Sequence, residues 1–61
     1  MNPVNARWLI EAVEESDYKP NAWERKFIRD MKKNYIDRLI FLNTKQGKKI
    51  QEIYRKSQGG Y

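Results

Sequence analysis

Apolar residues recur at helical spacing in three stretches of the chain, and each stretch opens on an asparagine placed as a cap. Asn2 precedes Pro3, whose missing N–H costs nothing at the first helical position. Val4, Trp8, Leu9, Ala12 and Val13 follow at helical intervals, and the pattern fades at Ser16, Asp17 and the Lys19-Pro20 pair. This predicts a first helix over 3–15. Asn21 then stands three residues before Glu24, a carboxylate able to reach back to the N–H of the cap. Trp23, Phe27, Met31 and Tyr35 follow at i+4 steps with Ile28 beside them, which predicts a second helix over 22–34.

The same arrangement returns twenty-two residues later, where Asn43 precedes Gln46 by three. Ile28 aligns with Ile50 and Met31 with Ile53, so the second and third helices read as two arms of a hairpin. The third is predicted over 44–57 with Ile50, Ile53 and Tyr54 as its apolar face, and Gly59-Gly60 supply a stop. The expected fold is all-α: one compact three-helix domain over 1–57, an αα-hairpin formed by its second and third helices, and a flexible tail over 58–61.

Tyr35 to Leu42 fits this scheme least well. It is too apolar for an exposed linker and has neither Gly nor Pro. Ile36, Leu39, Ile40 and Phe41 fit a continued helix, while the run of β-branched and aromatic residues also fits an extended stretch. A lone strand would have no partner, which favours a helical turn or an ordered connector packed into the core.

Composition narrows the chemistry. Sixty-one residues allow one small domain, and with no Cys and no His the chain has no disulfides, no thiolate metal site, and neither the commonest nucleophile nor the commonest general base. The expectation is a non-enzymatic protein without cofactor or metal. Glu11 and Glu15 share a helix face beside Glu14, yet no third ligand is identifiable, and a solvated acidic face explains them better. No stretch reaches the roughly 18 apolar residues of a membrane span, and no basic-then-apolar leader follows Met1; the expected location is cytoplasmic, without membrane association.

Charge is unevenly placed. Residues 1–20 carry two basic and four acidic side chains, net −2; residues 21–61 carry eleven and four, net +7. On the second helix Arg25, Lys26, Arg29, Lys32 and Lys33 fall opposite Trp23, Phe27 and Met31. On the third, Lys45, Lys48, Lys49, Arg55 and Lys56 fall away from Ile50, Ile53 and Tyr54. A polar face is what any surface helix needs, and lysine often fills it. These faces, however, have almost none of the acidic residues that ordinary surface helices intersperse, Asp30 and Glu52 excepted. The ten cations are therefore candidate contacts to a nucleic-acid phosphate backbone, read without regard to base sequence. Trp8, Trp23, Phe27 and Tyr54 are expected in the core rather than as stacking platforms, whereas Tyr18 and Tyr35 lie where either could stay beside the basic stripe.

Trp23-Glu24-x-x-Phe27-Ile28, Leu42-Asn43-x-x-Gln46 and Ile50-x-x-Ile53-Tyr54-x-Lys56 together resemble a short helical module of small phage and prophage proteins, sometimes found beside DNA-processing domains. The resemblance spans Trp23 to Lys56 and departs from the pattern in its second cap, more often Ser, and in its longer, less polar connector. It implies a phage-related accessory role in a host cytoplasm and transfers no catalytic residue.

Two functions compete on these grounds. The first is nucleic-acid binding through the ten cations. The second is a protein–protein interaction module that docks on a host or phage protein, or on a second copy as a homodimer. If Tyr35–Leu42 holds more apolar surface than so small a core buries, the interface is Tyr35, Ile36, Leu39, Ile40 and Phe41.

Overall fold

The computed structural model describes residues 1–59. Gly60 and Tyr61, half of the expected tail, lie outside the described residues. Three α-helices pack into a body of 28 × 19 × 19 Å: α1 (Pro3–Glu15), α2 (Ala22–Met31) and α3 (Thr44–Ser57), with a π-helical turn, Lys32–Ile36, continuing α2. The described residues contain no strand, and the all-α three-helix domain is as expected.

Each helix starts as the sequence dictates. The Asn2 side chain accepts the Val4 N–H at 2.7 Å. Asn21 and Glu24 form a complete capping box, Glu24 N–H to Asn21 Oδ1 at 2.7 Å and Asn21 N–H to Glu24 Oε1 at 3.0 Å. Asn43 and Gln46 form the second, at 2.8 and 2.9 Å. Each satisfies two backbone donors that a helix start leaves without partners. The repeat extends inward, because Ile28, Met31, Ile50 and Ile53 are all buried.

Side-chain pairs fix the directions of the helices. Glu14 meets Lys32 and Arg7 meets Asp37, so α1 runs antiparallel to α2 and its π turn. Lys56, at the end of α3, reaches Glu24 at the start of α2, which ties the two arms of the expected hairpin together there. Met1 and Leu42 exchange backbone hydrogen bonds, Leu42 N–H to Met1 O at 2.9 Å and the Met1 amine to Leu42 O at 2.7 Å, which draws the start of α1 against the start of α3. Gly47 makes room for this approach, since a Cβ there would stand 3.1 Å from the Met1 Cβ.

The core comprises Ala6, Ile10, Val13, Ile28, Met31, Ile36, Leu42, Ile50 and Ile53. Trp8 is not in it: 73 % of that residue is exposed, and Val4 beside it is also exposed. Helix α1 carries two apolar series, and the buried one is Pro3, Ala6, Ile10 and Val13. The small Ala6 lets the neighbouring helices come close, whereas an indole on the inner face would need more volume than a core of this size holds. Trp23, also expected inside, is 56 % exposed, and Phe27 is half-buried. On α2 the buried face is centred one position later, on Glu24, Ile28 and Met31. Tyr54 is half-buried against the core.

The Tyr35–Leu42 segment divides. Helical structure runs two residues beyond the expected end, to Ile36, through the π turn closed by Asp37 N–H to Lys32 O at 2.8 Å. In a regular α-helix, residues five apart point about 140° away from each other; a π turn returns them to one face, so Met31 and Ile36 both enter the core. The helix then ends in a Schellman motif, Ile40 N–H to Tyr35 O at 2.8 Å and Leu39 N–H to Ile36 O at 3.1 Å. Leu39 occupies the left-handed position of that motif with φ +56°, where glycine is usual. Beyond it the chain is non-helical to Asn43, and Leu42 returns to the core.

Candidate nucleic-acid interface

The five cations of α2 and its π turn gather on one side of the molecule. Arg25, Arg29, Lys32 and Lys33 line a hollow of about 540 Å³ between α2, the end of α1 and the connector that carries Tyr18 and Pro20. Arg25 and Arg29 also border an adjoining hollow that reaches Lys26. They form a ridge between the two, because α2 places them one turn apart on its α1-facing flank. Of the five, Lys32 is engaged, its Nζ 3.1 Å from Glu14 Oε2 in a half-exposed pair. Arg25, Lys26, Arg29 and Lys33 form no ion pair among the described residues.

The five cations of α3 do not complete one surface with these. Lys49 is 3.3 Å from Glu52 and lies 4.9 Å from the centre of the Trp23 ring, which itself stacks on Phe27 with centroids 5.3 Å apart. Lys56 is 3.3 Å from Glu24. Lys48 lines a hollow with Met1, Asn2 and Asn5, and Arg55 lines another with Leu9 and Tyr54, both along the seam of α1 and α3. Lys45 is exposed near the start of α3. Because α3 is flanked by α2 on one side and α1 on the other, its basic residues divide between two seams.

Glu24 is the residue whose role the sequence conceals. It is 2 % exposed, yet it accepts hydrogen bonds from the Tyr18 hydroxyl at 2.7 Å, the Asn21 amide at 3.0 Å and the Lys56 ammonium at 3.3 Å. Burial by itself pushes its pKa upward; the Tyr18 hydroxyl, the Asn21 amide and Lys56 outweigh this and hold it below the ordinary value of 4.5. One carboxylate thereby joins the start of α2, the end of α3 and the wall of the basic hollow. The capping box was legible; the burial was not, because Tyr18 and Lys56 approach from other parts of the chain.

The residues expected at a protein interface also separate. Ile36 is 1 % exposed and belongs to the core, and Tyr35 is half-buried against it, so neither is available as an outward anchor. Leu39 and Phe41 are about two-thirds exposed and Ile40 less so. Trp8 adds an exposed aromatic on the outer face of α1, beside Glu11 and Glu15.

Among the described residues no helix is long and apolar enough to cross a membrane. The chain matches no protein-family model, no curated protein and no solved structure.

Proposed function

We propose that this is a small non-enzymatic nucleic-acid-binding protein that grips the phosphate backbone with α2. The observation that supports this reading is the basic hollow: Arg25 and Arg29 on its ridge, Lys33 on its wall and Lys26 next to it, none of them held by a carboxylate among the described residues. Arginines one turn apart can each offer two parallel N–H donors to a phosphate, and the surrounding lysines add field without fixed geometry. Lys45, Lys48 and Arg55 contribute to the net charge of +5 and hence to attraction at a distance, not to the grip. The resemblance of Trp23–Lys56 to a helical module of small phage proteins, sometimes found beside DNA-processing domains, implies an accessory role and nothing more specific.

Fluorescence anisotropy with labelled oligonucleotides tests this. The expected dissociation constant is about 10⁻⁵ M near physiological salt, and log K should fall with log salt at a slope of about −3 to −4, from roughly four phosphate contacts. No binding at low salt, or binding indifferent to salt, overturns the proposal.

A second reading, docking on a protein, is favoured by a separate observation. A bulky residue in the left-handed region costs about 1–2 kcal/mol relative to glycine, and Leu39 bears that cost while its side chain stands in solvent beside Phe41. The Schellman motif sets that backbone, but it does not call for leucine there, and an exposed leucine where glycine is usual suits a surface used for contact.

A further inference from the structure

The basic hollow has an apolar floor beneath its charged rim. Val13 and Ile28, both core residues, line it together with Pro20 and Tyr18, and only then come Arg25 and Arg29. Its volume of about 540 Å³ lies within the roughly 300–1,000 Å³ of sites that hold a small organic ligand, more than a phosphate group alone occupies. Tyr18 is set in advance, its hydroxyl donating to Glu24 at 2.7 Å and its N–H to Ser16 Oγ at 3.2 Å, so a ligand meets an aromatic wall whose ordering cost is already met by the fold.

We infer that the hollow accepts one unpaired nucleotide, its base against Tyr18, Pro20 and the aliphatic floor and its phosphate on Arg25 and Arg29, so that the protein selects single strands over continuous duplex. The inference rests on the nucleic-acid reading and narrows it. Charge sets the orientation of the bound nucleotide. Two carboxylates also line the hollow, Glu14 and Asp37, each beside a cation, Lys32 at 3.1 Å and Arg7 at 3.5 Å. They repel a phosphate and leave it to Arg25 and Arg29, which form no ion pair among the described residues. A paired, stacked base cannot enter such a recess without being unstacked first, whereas a single strand presents its bases already free.

The test compares a labelled oligothymidylate of ~20 nucleotides with a duplex of equal length across a salt series, and adds a ¹⁵N NMR titration of the full chain with thymidine 5′-monophosphate and, separately, inorganic phosphate. The expected result is a preference of about tenfold for the single strand. It should come with amide shifts at Val13, Tyr18 and Ile28 on adding the nucleotide that phosphate does not reproduce. Equal affinity for both forms, with a shared salt slope, overturns the inference and leaves backbone binding standing. Identical shifts from nucleotide and phosphate, or nucleotide shifts confined to other residues, also overturn it. Failure of both oligonucleotides to bind at low salt removes the broader proposal with it.

Discussion

The Tyr18 hydroxyl donates to the Glu24 carboxylate over 2.7 Å, and through that bond the connector after α1 is tied to the first turn of α2. The same carboxylate takes the Lys56 ammonium, so three separate parts of the chain converge on a group that water barely reaches. Glu24→Gln keeps an oxygen for Tyr18 and for the Asn21 amide, but turns an N–H₂ donor towards the Lys56 ammonium. The expected cost at neutral pH is about 1–3 kcal/mol, read by urea denaturation.

That cost depends on pH in a fixed direction. Because the folded-state pKa of Glu24 lies below its ordinary 4.5, the carboxylate contributes stability above the unfolded value, and the contribution is lost as pH falls through the folded one. The stability gap between the natural chain and Glu24→Gln should therefore be constant near pH 6–7 and narrow below about pH 4.5. A gap that widens on acidification would refute the assignment of a charged Glu24.

Leu39→Gly should raise stability by about 1 kcal/mol, because the left-handed backbone at this position costs glycine nothing. Part of the gain is offset by the greater freedom of glycine in the unfolded chain. Thermal unfolding provides the readout. Should a protein partner dock on the tip, the same substitution would weaken that association while the isolated protein became more robust.

Two substitutions on α1 separate the buried series from the exposed one. Ile10→Ala removes a core side chain and should cost about 2–5 kcal/mol, while Trp8→Gln, on the outer face, should stay within about 0.5 kcal/mol. Paired denaturation curves decide between this arrangement and one with the indole inside.

For the basic surfaces, the double change Arg25→Gln/Arg29→Gln should flatten the salt slope of nucleic-acid binding by about two contacts, with weaker affinity throughout. Lys48→Gln/Arg55→Gln removes the same net charge from the α1–α3 seam and should leave that slope nearly intact. Equal effects from the two pairs would mean that only net charge matters.

The starts of all three helices were legible in the sequence because capping is local: Asn21 and Glu24, or Asn43 and Gln46, find each other across three residues whatever the rest of the chain does. The basic ridge of α2 was legible for a related reason, since helical period alone puts Arg25 and Arg29 on one flank. Periodicity alone does not distinguish which of two apolar series α1 turns inward, and it points Trp8 towards the core that the structure fills with Ala6, Ile10 and Val13 instead. It also could not reveal that a glutamate would displace Trp23 from the buried face of α2, because the groups that make burial of Glu24 tolerable come from 6 and 32 residues away. Separation along the chain also hid the ion pairs Lys32–Glu14, 18 residues apart, and Lys56–Glu24, 32 apart, which engage two of the cations the helical wheel leaves free.

The π turn makes the stretch from Lys32 to Ile36 a counting device rather than a mere continuation of α2. Dropping one residue there would put Ile36 four places after Met31, on the same side of an ordinary α-helix, so the turn would revert to α-helix with Ile36 still facing the interior. The turn is therefore the one place along α2 and its continuation where the chain can lose a residue and keep the same side chains buried.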